Sequence, residues 1–557
     1  MGSLIQLRRE GDSVTLHQPP PGTAGNTRLI RTSLPLLRED PQDCPRGNAL
    51  RARPLVAQAP ERPRGKPLED FALGPVMRTL DLIEYEGMDP QVALRRLNTS
   101  TKCHPGHASW AGMAVNNYLA AREASETDRR ALGRPATTPV RAQWTAIAQS
   151  PGDAPDERGA TRYERTAWGR RYASADGSER ELWLLSVNTV KKDRPHAEIA
   201  EAAAVTATGV PTQAAFGDIH RPLAGSTVPP RQVKVIGVGC GDARHTVLAD
   251  WDTGRTAHEF ALHAKPVLAR VAEDDRLNPG SGCERCEGLT GCEQPPRVNG
   301  LLGIPGPRRP RKRRSVSATD LRVHSRCPAQ FHLTRVLHLR SGEPESEPVR
   351  RGRAVDDWLN ERHRQGSCRG ATLPATLPGL SEAEQPPALA MLAQHLLDCP
   401  LDGLPLDEHV RVQPRLTAYD PELDVLLIAD PDLLYTRSGG WIWHETKTAA
   451  RRPWEGRELM ETYPQLPFAV LLMAAGVPGG DPRRSLIELE MLYESSSGCE
   501  EIDPGEPETQ AEARRIIAEL AGPWAVDETY APKPGGHCAG CEMLGHCAAG
   551  LSRLETR

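Results

Sequence analysis

Apolar and polar positions change period along the chain, and the changes mark elements. In the C-terminal half, His409–Leu416, Val425–Leu427, Leu433–Tyr435 and Trp441–Glu445 are short apolar or alternating runs. Turn signals separate them at Tyr419-Asp420-Pro421 and Ser438-Gly439-Gly440, so they predict consecutive strands. Ala318–Leu337, Arg353–His363 and Gln465–Ala475 carry helical spacing, with Pro328 placed to kink or split the first. Helix, several strands, helix, strand, helix is the order of an α/β domain.

The N-terminal half repeats part of this plan. A strand-like run, Val233–Val238, precedes a helical stretch, Arg255–Ala272, just as Ser485–Tyr493 precedes Glu508–Leu520. Both halves then close on a Pro-Gly turn and a C-x2-C-x5-C triplet: Pro279-Gly280 with Cys283, Cys286 and Cys292, and Pro534-Gly535 with Cys538, Cys541 and Cys547. Each half also has an isolated upstream cysteine, Cys103 or Cys327. A matching triplet in a matching context predicts two diverged copies, over residues 71–300 and 317–557.

Composition adjusts the edges of this picture. Residues 1–70 are rich in Pro, Arg and Gly and read as a mostly disordered leader, with Cys44 an incidental thiol. Residues 301–316 read as a basic, proline-punctuated linker, either a solvated connector or a strap that contacts phosphates. No apolar run approaches the roughly 20 residues that span a bilayer, and the N-terminus lacks a signal pattern, so a cytoplasmic location is expected. Thirteen cysteines in such a chain point to metal ligation before disulfides. A net charge of −4 excludes a protein that simply coats DNA. Local basic patches still allow DNA contact. No G-x4-G-K-[ST] loop occurs, so a helicase motor would have to be a separate partner.

The candidate chemistry lies between Cys327 and the last triplet. Hydrolysis of a phosphodiester needs an activated water, charge neutralisation at phosphorus and a stabilised leaving oxygen, all of which Mg2+ or Mn2+ can supply. Such ions take oxygen ligands. Asp432, after Pro431, and Glu445 can provide them from the ends of adjacent strands, because thirteen residues leave room for a strand, a Gly439-Gly440 turn and a return strand. Lys447, two residues beyond Glu445, projects to the same side. Its ammonium there would orient water and offset charge on the phosphate. With 60 arginines and 9 lysines in the chain, a lysine at that place is the less frequent choice. The first half has no such pattern: Asp176 and Glu181 lie in its strand region, Tyr163–Asn188, without an E-x-K on an apolar strand.

Residues 315–550 resemble the PD-(D/E)XK nuclease superfamily, in particular the iron–sulfur branch of RecB-like exonucleases, the AddB nuclease domain and the CRISPR adaptation nucleases. Asp432, Glu445 and Lys447 fall on its catalytic motif and Gln465-Leu466 on its later glutamine motif. The resemblance implies a restriction-endonuclease-like core, here a tandem with a degenerate first copy. It also implies a 4Fe–4S cluster on Cys327, Cys538, Cys541 and Cys547, where spacing alone would equally admit zinc. The corresponding second set is Cys103, Cys283, Cys286 and Cys292, with Cys240 competing for the place of Cys103 and a buried free thiol as the alternative for both. Where the family often has a metal-ligating histidine this chain has Asp356, and the tyrosine usual after the glutamine is absent. Cys368, Cys399 and Cys499 lack ligand spacing and read as structural, and His444 and His537 as supporting or surface groups. The expected function is a metal-dependent DNase acting on single strands or duplex ends, working alone or with a repair or defence partner. The alternative is a non-catalytic nucleic-acid-binding or assembly factor.

Overall fold

The computed structural model describes residues 19–57, 68–150, 161–214, 218–225, 228–306, 312–340, 345–450 and 459–556. In the C-terminal half a five-stranded sheet runs Val410–Val412, Leu433–Arg437, Gly440–Thr448, Leu486–Leu492, Ser497–Ile502. Its successive pairings are antiparallel, antiparallel, parallel and antiparallel. The parallel step needs a crossover, and helix Gln465–Ala474 provides it, with seven consecutive apolar residues from Pro467 to Met473 buried. A smaller sheet pairs Arg314–Val316 parallel to Val425–Ala429, which is antiparallel to Leu416–Asp420. Trp443, Phe468, Ile487, Ile517 and Trp524 share the core between sheet and helices.

The N-terminal half repeats the larger sheet strand for strand, and in its other sheet adds Val210–Gln213 and Arg221–Pro222 to the smaller sheet's three. Thr137–Pro139, Arg170–Ser174, Glu179–Ser186, Gln232–Gly239 and His245–Asp252 pair antiparallel, antiparallel, parallel and antiparallel. Helix His196–Thr208 lies between the two strands of the parallel step. Leu29–Ser33 pairs parallel to Arg162–Thr166, which is antiparallel to Gln143–Gln149, as in the smaller C-terminal sheet. The chain is therefore a tandem of two mixed α/β units with helices against their sheets.

The topology moves the start of the first unit upstream of residue 71. Residues 19–57 are not a disordered leader: they hold strands Thr23–Gly25 and Leu29–Ser33 and helix Pro45–Arg51, with Leu29, Leu34, Leu36 and Leu37 buried. Leu29–Ser33 occupies the place that Arg314–Val316 takes in the second unit. The apolar residues are few and set among Pro and Arg, so composition hid them. The expected leader's residues 1–18 and 58–67 lie outside the described residues, as do 307–311 of the linker. The rest of that linker is built into the fold. Arg313 is buried, donating to Asp424 Oδ1 at 2.8 Å and to the Cys286 carbonyl at 2.9 Å, and Arg314 opens a strand.

Other boundaries shift for identifiable reasons. The expected helix Ala318–Leu337 stops at Cys327 and restarts at Pro328, which lacks the N–H to continue it, and ends in a π-helical turn, His332–Val336. The expected strand His409–Leu416 is two strands, Val410–Val412 and Leu416–Asp420, parted at Gln413, whose φ is +45°, and Pro414. No helix among the described residues is long and apolar enough to cross a membrane.

The two units interlock. Leu333, Leu337 and Met543 of the second join the core around Trp110 and Tyr118 on helix Pro105–Ala131 of the first. In return Cys283 and Leu289 of the first pack on Tyr419 and Leu426 of the second.

Candidate functional site

Strand Gly440–Thr448 exposes its two faces to different surroundings. Trp443, Glu445 and Lys447 share one face, and His444 and Thr446 share the other. Asp432 immediately precedes strand Leu433–Arg437, whose Leu433 pairs with His444, so Asp432 stands opposite Glu445. The Thr446 backbone N–H donates to Asp432 Oδ2 at 2.8 Å. Lys447 Nζ donates to Glu445 Oε2 at 2.8 Å and reaches Asp432 Oδ2 at 3.5 Å. Trp443 Nε1 donates to the other Glu445 oxygen at 3.0 Å.

Asp356 reaches this group from helix Glu347–His363. Gly352, one turn before it, lets the helix lie close to the strand: a Cβ there would stand 3.0 Å from Thr448 Oγ1. Gln413 Nε2 donates to Asp356 Oδ2 at 3.2 Å, while the Gln413 backbone N–H donates to the Asp432 carbonyl at 3.0 Å. Gln413 thus ties the two aspartates together, a role the sequence reading missed. Its signal was the Gln413-Pro414 break inside an otherwise alternating run.

The electrostatics leave the group short of positive charge. Burial first, and then the Asp432 charge, push the Asp356 carboxyl up to about 6. Burial also raises Glu445, Asp432 raising it further while Lys447 pulls it down. Burial alone would lower Lys447, but Glu445 and Asp432 outweigh it and hold the ammonium charged. The three carboxyls make an all-oxygen donor set whose charge one ammonium only partly offsets and a hard divalent cation would relieve, so the residues fit Mg2+ or Mn2+. Gln465 begins helix Gln465–Ala474 half-buried, and no hydrogen bond joins it to the other four among the described residues.

The cysteines form two sets. Cys327, Cys538, Cys541 and Cys547 line one cavity. Backbone N–H groups of Lys533 and Gly535 donate to Cys327 Sγ at 3.5 Å and Cys538 Sγ at 3.3 Å. The other cavity is lined by Cys283, Cys286, Cys292 and Cys44, with the Gly47 N–H donating to Cys44 Sγ at 3.4 Å. The structure therefore brings Cys44 to the triplet, where Cys103 was expected. Cys103 and its competitor Cys240 are buried thiols in the core around Trp110, pushed up by burial to about 11 and about 12. The available signal was the pair Cys44-Pro45: like Cys327-Pro328, it places a cysteine as N-cap of a helix with proline at its first position.

Sulfurs around one zinc sit about 3.8 Å apart. Among the described residues, neither four-cysteine set is one of the groups whose ligand atoms all approach within 4.8 Å. Each set surrounds a space instead of converging on a point. One group that does converge is His363, Cys368, His395 and Cys399, two of whose members the sequence reading took as structural cysteines.

In the first unit the strand that corresponds to Gly440–Thr448 is Glu179–Ser186, which ends Leu184-Leu185-Ser186 with no carboxylate and lysine. Glu181 is buried against Arg129, Nη1 to Oε1 at 2.6 Å, and Asp176 caps a turn through Ser178. Both are structural. His444 lies between Glu488 and Glu490, behind the candidate site, and His537 lines the second unit's cysteine cavity.

The family model of the PD-(D/E)XK nuclease superfamily matches residues 315–548, so the second unit carries a PD-(D/E)XK domain. A solved structure titled "Crystal structure of SSO0001" is 15% identical, with 42% of this chain and 87% of that one covered and a TM-score of 0.22, a likeness too slight to bear on the fold. A search of curated proteins returns no match.

Proposed function

We propose that the second unit hydrolyses phosphodiester bonds of DNA, on single strands or duplex ends, with Mg2+ or Mn2+ held by Asp356, Asp432 and Glu445. The observation that carries this reading is the convergence of those three carboxyls on Lys447 inside a domain that matches a nuclease family. A divalent ion bound there supplies charge neutralisation at phosphorus and lowers the pKa of water. The chain's own residues do the positioning. Thr446 N–H fixes Asp432, Gln413 fixes Asp356 and Trp443 fixes one Glu445 oxygen, so the donors are oriented before the ion arrives. Lys447, kept charged by its two carboxylate neighbours, orients water and offsets negative charge on the phosphate. Gln465, at the start of the crossover helix, serves to contact substrate.

Each cysteine set fits a 4Fe–4S cluster better than a single zinc ion, given the space the sulfurs surround and the N–H donors aimed at them. Such a cluster supplies a cross-link between distant segments. In the second unit it would join Cys327 to residues 538–547. In the first it would join Cys44 to residues 283–292. The first unit then serves as scaffold, DNA guide or platform for a separate helicase, repair or defence protein.

End-labelled single- and double-stranded DNA, incubated with Mg2+ and then Mn2+, tests the reading on anaerobically purified protein. Metal-dependent cleavage absent from Lys447→Ala is the expected result. No cleavage by brown, folded wild type on either substrate would turn the assignment to a binding factor.

A further inference from the structure

On the far side of the candidate site's strand, four metal-ligating side chains meet that take no part in the chemistry above. Helix Glu347–His363 ends on His363, and helix Gln385–His395 ends on His395. A cysteine follows each in the next loop, giving H-x4-C to Cys368 and H-x3-C to Cys399. All four residues are buried.

The distances suit one ion. His363 Nε2 and His395 Nε2 are 3.1 Å apart, and Cys399 Sγ is 3.6 Å from His363 Nε2. In a tetrahedral zinc site, Zn–N near 2.05 Å and Zn–S near 2.3 Å give N···N edges of about 3.3 Å and S···N edges of about 3.6 Å. The remaining nitrogen of His395, Nδ1, lies 2.8 and 2.9 Å from the two oxygens of Glu490. A carboxylate on the outer ring nitrogen is what orients a metal-binding imidazole and fixes its tautomer. The Cys368 backbone N–H donates to Cys399 Sγ at 3.4 Å, an interaction that favours the thiolate.

We propose that His363, Cys368, His395 and Cys399 form a structural zinc site. Two thiolates and two imidazoles are a closed set with no place for substrate, and burial keeps water from a fifth position. The ion would clamp three elements: the helix that carries Asp356 two turns before His363, helix Gln385–His395, and, through Glu490, strand Leu486–Leu492 beside the candidate catalytic strand. The site thereby sets where Asp356 stands without touching substrate.

Metal analysis of the full-length chain tests this, with iron counted beside zinc. One zinc per chain is expected. Cys368→Ser/Cys399→Ser should lose it and keep its iron, whereas Cys541→Ser should keep the zinc. His363→Cys, with three thiolates and one imidazole, should retain the metal, and its cobalt-substituted form should show stronger sulfur-to-cobalt charge transfer than cobalt-substituted wild type. If the double variant does not fold, wild type and His363→Cys decide. Wild type without zinc, and without tetrahedral cobalt bands when offered Co2+ after chelation, would overturn the proposal. So would zinc that persists in Cys368→Ser/Cys399→Ser or disappears with Cys541→Ser.

Discussion

Gln413 holds Asp356 and Asp432 together, its side chain on one and its backbone N–H on the other. It is no metal ligand itself, so its loss should loosen the ion's donors without removing any. Gln413→Ala is expected to raise the Mg2+ concentration for half-maximal cleavage by about 10-fold, the lower end of what outer-shell partners contribute. A Mg2+ titration of cleavage at saturating DNA checks it. An unchanged midpoint would mean that Asp356 holds its place without the Gln413 side chain.

Lys447→Ala should lower the cleavage rate by about 10²–10³-fold, the usual size of one lost electrostatic stabiliser, while DNA affinity in Ca2+ changes little. Equal losses of binding and cleavage would instead make Lys447 a phosphate anchor.

Cys44 and Cys103 make opposite predictions. Cys44 lines the cavity with Cys283, Cys286 and Cys292, and Cys103 does not. Cys44→Ser should lose the iron of one set, and Cys103→Ser should keep all of it, read by iron content and visible absorption. Iron lost from Cys103→Ser alone would return Cys103 to the ligand set.

Acid should weaken the seam between the units. His332 stacks on Tyr530 with ring centroids 4.7 Å apart, and neither of its ring nitrogens has a hydrogen-bond partner among the described residues. Burial, followed by the nearby His104 and His107, pushes its pKa down to about 3. The unfolded chain keeps a histidine near the ordinary 6.5. Below that pH the unfolded state binds more protons, so stability is lost from about pH 6.5 downward, toward about 3. The fall in Tm between pH 7 and pH 5 should be shallower in His332→Leu than in wild type. Parallel curves would place the acid-sensitive group elsewhere.

The residues legible from sequence were those whose geometry is local. Asp432, Glu445 and Lys447 lie on one strand–turn–strand segment, where a two-residue period and a Gly-Gly turn fix which side chains meet. Asp356 lies far from that segment along the chain and was placed by the resemblance, at the position where the family often has a histidine. Cys44 was illegible because its surroundings are rich in Pro and Arg and read as a leader; distance was no bar, since Cys327 lies about as far from its own triplet. No rule of spacing says that a strand at Leu29 opens the first unit. His363, Cys368, His395 and Cys399 escaped because each His–Cys pair sits at a helix end while the pairs are separated by a long loop and a second helix. The signal was the repetition of His, a short gap and Cys, in which no two cysteines stand close together.

The reciprocal packing of the units bears on how such a chain can change over time. Cys283 and Leu289 rest on Tyr419 and Leu426, and Leu333 and Met543 rest in the core around Trp110, so neither copy has a boundary wholly its own. Deleting the first copy would strip cover from apolar residues of the second. Its strand Glu179–Ser186 already ends without the carboxylate and lysine of the second copy, yet stays paired in its sheet. A unit bound in this way is held in place by what it covers, whatever side chains its central strand carries.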